Sequence, residues 1–136
     1  MRDLIADFFA EKGVPDPSAS VGCGPAAVSF DIAERYPETT VVGYDAAASV
    51  LSENRERARR EDVANVRFER AVLPDFDPDR EFDCVFCYGT LCHVSESERA
   101  LRNLYDVVAS DGHLVLGYMN RLAASHHRRA LSSTDE

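Results

Sequence analysis

The sequence predicts an α/β domain of three layers, with a five-stranded, mostly parallel sheet between helices. Two observations carry this. Strand-like and helix-like segments alternate five times along 136 residues, a rhythm that right-handed crossovers produce. The segment Thr39–Tyr44 is β-branched and apolar on both faces, the pattern of a strand covered from both sides. A third, local signal agrees: Val21-Gly22-Cys23-Gly24-Pro25-Ala26-Ala27 is a glycine-rich turn that opens a helix, and Val41-Val42-Gly43-Tyr44-Asp45 ends the next apolar run on an acid.

The elements follow in order. Residues 2–12 place Leu4, Ile5, Phe8 and Phe9 at helical spacing, and Gly13 and Pro15 end that helix. Ser18–Val21 is a short strand, polar for its position. Pro25 suits a first helical turn, where its missing N–H would be unpaired anyway. That helix runs to about Tyr36, with Val28, Ile32 and Ala33 inward. Thr39–Tyr44 is the second strand. A helix over Ala48–Glu61 presents its charged Glu53–Arg60 portion as a mostly solvated face. Val63–Ala71 holds the third strand, residues 72–81 are a loop with Pro74 and Pro78, and Phe82–Tyr88 is the fourth strand. Ser95–Ala109 is a helix with Leu101, Leu104, Tyr105 and Val108 on one stripe. Asp111-Gly112 turns into a fifth strand, His113–Met119, and residues 121–131 form a last short helix. The expected organisation is an N-terminal helix and linker (1–17), a core (18–120) and a C-terminal tail (121–136).

Composition narrows the function classes. Asp and Glu outnumber Lys and Arg by 24 to 15, for a net charge of −9. A surface that tracks phosphates needs the opposite balance, so nucleic acid is not an expected partner. Lys12 is the single lysine; such a chain is like those of salt-loving microbes, or reflects a genome rich in Arg codons. Asp3 and Asp7 interrupt any N-terminal export signal, and no stretch is long enough to span a bilayer, so a cytoplasmic protein with reduced cysteines is expected.

The glycine turn and Asp45 together suit a nucleoside-type cofactor on the carboxyl edge of the sheet. The glycines leave room for close approach. The N–H groups at the helix start can face a carboxylate or phosphate, and Asp45 can accept from both ribose hydroxyls. Cys84, Cys87, Cys92 and His93 invite a metal reading, which is rejected: residues three apart on a strand point to opposite faces, whereas zinc needs convergent ligands. Cys23 lacks a partner in sequence that would make it a nucleophile. His126-His127-Arg128-Arg129 reads as a solvated end near the terminus.

Over residues 18–120 the chain resembles the class I S-adenosylmethionine-dependent methyltransferases. Val21–Pro25 is similar to the family's glycine motif and Val41–Asp45 to its ribose-binding motif. Phe82–Val94 is similar to the fourth strand and the loop after it. Ala100–Tyr105 followed by Ser110–Leu116 resembles the helix and turn leading into strand five. The resemblance implies a Rossmann-like sheet of order 3-2-1-4-5. It also implies methyl transfer from S-adenosylmethionine to a small-molecule acceptor. The cofactor-binding set it implies is Val21, Gly22, Cys23, Gly24, Asp45, Ala46, Val72, Leu73, Cys87 and Tyr88. His93, just past strand four, is the candidate general base; a surface or packing histidine is the plainer reading. Tyr88 would line the cofactor or acceptor pocket, and Cys87 would meet the methionine part or simply be a buried small residue.

The chain departs from the family pattern in several places. Ser20 stands where the family has an acid for the methionine amino group, and Ala26 replaces the third glycine. Val72 stands near the acid that reads the adenine amino group, for which Asp75 or Asp77 could substitute. The family's closing β-hairpin is missing after strand five, so a truncated domain is expected. Its fifth strand would then be an exposed edge covered by a second subunit or by the tail, and a homodimer is expected. Two other readings compete. One is a degenerate homologue that binds or scaffolds without catalysis. The other is a nicotinamide-binding domain, since Gly22-x-Gly24-x-x-Ala27 with Asp45 also satisfies that fingerprint.

Overall fold

The computed structural model describes residues 2–23, 26–73, 75–76, 78–88, 96–117 and 125–126. The elements are α1 (Arg2–Lys12), β1 (Ser18–Val21), α2 (Ala27–Arg35), β2 (Val41–Asp45), α3 (Ala48–Arg60) and β3 (Val66–Arg70). They continue with β4 (Phe82–Tyr88), α4 (Ser97–Asp106), β5 (Val108–Gly117) and β6 (Ser125–His126). The sheet order is β3-β2-β1-β4-β5-β6. The first five strands are mutually parallel, as expected, in the order 3-2-1-4-5. β6 is antiparallel to β5, with Leu116 opposite His126 and Gly117 opposite Ser125. Residues 125–126 are therefore strand, not the helix expected over 121–131. They pair with the carboxyl end of β5, the tail covering part of the edge that the sequence leaves open.

The period-two alternation of the strands builds two cores. Val41, Phe68, Cys84, Phe86 and Val115 face one way and meet Phe9 of α1, Phe30, Ile32 and Ala33 of α2, and Leu51 of α3. Val42, Tyr44, Val85, Cys87, Leu114 and Leu116 face the other way and meet Leu104 of α4, with Phe76 from the loop after β3. Three helices thus cover one face, while α4 and a loop cover the other. Cys84 and Cys87 sit in opposite cores, as their spacing requires. The N-terminal helix belongs to the same unit: the Phe9 ring lies 5.2 Å from Tyr36 and 6.2 Å from Phe86.

The polar composition of β1 fits its place. Flanked by β2 and β4, it is buried along its whole length, and its small Ser-Ala-Ser-Val side chains suit the middle of a sheet covered on both faces. β5 begins at Val108, earlier than expected. Its register against β4 slips between Phe82 and Cys84, which takes the Asp111-Gly112 turn into the strand, with Asp111 at φ 68°.

At the amino edge a polar cluster fixes the strand starts. Asp16 Oδ1 accepts from the Thr40 N–H at 2.9 Å, and the Asp83 carboxylate accepts from the Asp16 N–H at 3.2 Å. Asn65 Nδ2 donates to the carbonyls of Ala33 (3.0 Å), Tyr36 (3.2 Å) and Thr39 (2.8 Å), tying the end of α2 and the approach to β2 together; the Tyr36 carbonyl also accepts from the Thr39 N–H at 3.1 Å. On the β3 edge, Arg55 of α3 donates to the Phe68 carbonyl through Nε (3.1 Å) and Nη2. The solvated face expected for Glu53–Arg60 is thus interrupted, since Asn54 is buried and Arg55 guards a sheet edge. Among the described residues no helix is long and apolar enough to cross a membrane.

Candidate functional site

Strand order reverses between β1 and β4. In an open parallel sheet that reversal leaves a crevice at the carboxyl rim, because the following connections leave to opposite faces. The registers align this rim: Val21 is opposite Tyr44 on one side and Cys87 on the other, and Asp45 is opposite Arg70. Residues from four strand ends therefore share one level.

Gly22 leaves β1 at φ 71°, a left-handed conformation that costs an L-residue about 1–2 kcal/mol. The next N–H, from Cys23, donates to the Tyr44 carbonyl at 2.8 Å and holds the turn against β2. The Cys23 carbonyl then accepts from Ala26 at 2.8 Å, and the Ala26 carbonyl accepts from Phe30 at 2.9 Å, beginning α2. Ala26 is itself left-handed (φ 65°, ψ 33°). Its methyl group stands where a third glycine would carry no strain.

The Cys23 side chain points away from the rim and packs against the α1–α3 core. A Cβ on Gly43 would lie 3.3 Å from the Cys23 sulfur and 2.8 Å from the Phe68 ring, so the bare backbone of Gly43 is what makes room for both. Asn54 of α3, only 5% exposed, donates from Nδ2 to the same sulfur at 3.9 Å. Burial pushes the Cys23 thiol up to about 12, and the Asp45 carboxylate adds to this against a smaller opposing effect of a backbone hydrogen bond. A thiol so protonated is no nucleophile.

Asp45 ends β2. Its Oδ1 accepts from the Ala47 N–H at 2.9 Å, a short turn that orients the carboxylate. Asp45 follows Tyr44, whose carbonyl holds the Cys23 N–H, so β2 ends beside the glycine turn. Ala46 is exposed beside Asp45, and its carbonyl accepts from Arg70 Nε at 3.0 Å. Past β3, the Ala71 N–H donates to the Asp45 carbonyl at 3.0 Å, which carries Val72 to the rim with 43% of its surface exposed. Leu73 is half-buried against the second core. Cys87 is buried in that core beside Val21.

The structure therefore brings Val21, Gly22, Cys23, Asp45, Ala46, Val72 and Cys87 to one rim, with Leu73 and the backbone of Tyr88 beside them. Gly24, His93 and Asp77 lie outside the described residues. Asp75 is engaged elsewhere: Arg99 Nη2 of α4 donates to its carboxylate at 2.6 Å. Sequence reasoning missed Asn54. Its signal was its spacing, three residues after Leu51 and so on the same buried helical face, within a segment otherwise dominated by charge. Among the described residues no three of His, Cys, Asp and Glu are placed to hold a metal ion.

The sequence pattern of the family described as "Methyltransferase domain" matches residues 19–112. The chain belongs to that family. Trans-aconitate 2-methyltransferase of Methylobacterium nodulans is 28% identical over 125 residues, which cover 90% of this chain and 46% of that protein. The chain spans about half the length of the curated relatives it matches. Two solved structures share the architecture. Coclaurine N-methyltransferase bound to N-methylheliamine and SAH has a TM-score of 0.76 at 21% identity, covering 86% of this chain and 35% of that one. SAM-bound CalS10, an amino pentose methyltransferase from Micromonospora echinaspora, has a TM-score of 0.73 at 25% identity, covering 87% and 49%. The resemblance to class I S-adenosylmethionine-dependent methyltransferases holds for the methyltransferase domain in both family and fold.

Proposed function

We propose that the chain binds S-adenosylmethionine across the carboxyl rim and transfers its methyl group to a small-molecule acceptor. The observation that carries this reading is Asp45: it ends the strand next to the switch point, is oriented by the Ala47 N–H and follows Tyr44, whose carbonyl holds the left-handed glycine turn. The donor set fits the cofactor. Asp45 would accept from the two ribose hydroxyls. The turn at Gly22–Cys23, with Gly24, would face the amino-acid end; the Cys23 N–H is taken by the Tyr44 carbonyl, so the N–H groups at the start of α2 would face its carboxylate. Val72 and Leu73 would offer apolar surface to the base, and Val21, Ala46, Cys87 and Tyr88 would complete the walls. When bound, S-adenosylmethionine supplies a methyl group already activated on a sulfonium, so the chain need mainly hold donor and acceptor in line. His93 is proposed as the base for an acceptor that must lose a proton. A cytoplasmic setting is part of the same reading.

A second reading is a homologue that binds cofactor weakly without catalysis. Two observations favour it: buried Ser20 stands where the family has an acid, and exposed Val72 has no acceptor for the adenine amino group. Calorimetric titration with S-adenosylhomocysteine, S-adenosylmethionine and NAD separates the readings. Micromolar binding of S-adenosylhomocysteine, lost in Asp45→Ala, supports the first. Silence toward all three supports the second, and preference for NAD would make this a nicotinamide site. Trans-aconitate, the acceptor after which the Methylobacterium nodulans relative is named, is the first acceptor to assay.

A further inference from the structure

Asn54 is a buried amide on a helix whose other polar side chains, two serines and a run of charges, are largely solvated. A buried amide is costly unless its hydrogen bonds are made, so its position needs a reason beyond packing. Its Nδ2 reaches the Cys23 sulfur at 3.9 Å. The same sulfur rests over the bare Cα of Gly43, where an added Cβ would come within 3.3 Å. Cys23 in turn is fixed to β2 by its N–H on the Tyr44 carbonyl at 2.8 Å. Three elements, the β1–α2 turn, β2 and α3, thus meet at one sulfur atom. The sulfur sits between the turn and β2, whose end carries Asp45, and the turn and Asp45 flank the proposed ligand.

We propose that Asn54 is a positioning residue, acting through the Cys23 side chain to hold the glycine turn at the height that receives the amino-acid end of the cofactor. This rests on the cofactor reading given above. The role is local: Asn54 meets the turn through the Cys23 sulfur, so its removal should disturb the end of the ligand that the turn receives more than the adenine end. Two probes resolve this. S-adenosylhomocysteine carries the amino-acid carboxylate; 5′-methylthioadenosine keeps the adenine and ribose but lacks it.

The experiment is calorimetric titration of both probes into the wild-type chain and Asn54→Ala, with thermal melts alongside. The expected result is a loss of about fivefold in affinity for S-adenosylhomocysteine, the worth of one hydrogen bond to a weak sulfur acceptor, with 5′-methylthioadenosine held within about twofold. Cys23→Ala should reproduce this selective loss, and it keeps the test intact should Asn54→Ala fail to fold. Equal weakening toward both probes would mean a merely structural role and overturn the proposal, as would unchanged binding of S-adenosylhomocysteine by Asn54→Ala. Silence of the wild-type chain toward both probes would instead bring down the cofactor reading, and this inference with it.

Discussion

Gly43→Ala tests the joint beneath the glycine turn. The new methyl carbon would lie 2.8 and 2.9 Å from two atoms of the Phe68 ring and 3.3 Å from the Cys23 sulfur. The ring cannot simply retreat, since Phe68 is buried and the Phe30 ring backs it at a centroid distance of 5.6 Å. Overpacking of this kind costs about 1–3 kcal/mol, and the lower chain entropy of unfolded alanine returns about 0.4–1 kcal/mol. A net loss of about 1–2 kcal/mol is expected. With an unfolding entropy of about 2.1 cal/mol/K per residue over 136 residues, that lowers Tm by about 4–7 °C. The assay is a reversible thermal melt, repeated in Phe68→Leu and in the double variant. Phe68→Leu makes room for the methyl group, so the double variant should be more stable than the sum of the single losses by at least about 0.5 kcal/mol. An unchanged or higher Tm for Gly43→Ala, or strict additivity in the double variant, would refute the close-contact argument.

Two further outcomes are expected. Burial and neighbouring carboxylates raise Cys23 and Tyr44 to about 12, and burial raises Cys84 as well. The folded chain therefore holds protons that the unfolded chain releases at ordinary thiol and phenol values. Stability is full below about pH 8.5 and falls as pH rises toward the folded values, so the urea midpoint should be lower at pH 10 than at pH 8; an equal or higher midpoint would contradict this. Asn65→Ala removes the amide that donates to the Ala33, Tyr36 and Thr39 carbonyls, of which Tyr36 keeps the Thr39 N–H, and should cost about 1–3 kcal/mol in urea unfolding. Affinity for S-adenosylhomocysteine should not change in this variant, because the site lies at the opposite end of the strands.

The parts of this protein written in the sequence are those governed by short-range rules. Alternation along Phe82–Tyr88 puts Cys84 and Cys87 in opposite cores. The glycine turn and Asp45, each the end of its own strand segment, were legible because one needs a left-handed backbone and the other a strand end. Boundaries were less so: β5 begins five residues early because the Asp111-Gly112 turn is absorbed into a strand paired with β4, which local propensity does not register. The tail pairs as strand at Ser125–His126 for the same reason, since an edge recruits whatever segment reaches it.

The chain alone thus determines the layered α/β class, the strand order that its family resemblance implies, and the rim on which Gly22 and Asp45 stand. Tertiary structure alone decided what Gly43, Asn54 and Asn65 are for. Gly43 is needed because Phe68 and the Cys23 sulfur occupy the space of its absent side chain. Asn54 is buried because α3 lies against the turn, and Asn65 matters because three carbonyls from the end of α2 and the start of β2 converge on it. Each of these depends on atoms brought together from segments distant in the chain, a geometry that no local periodicity encodes.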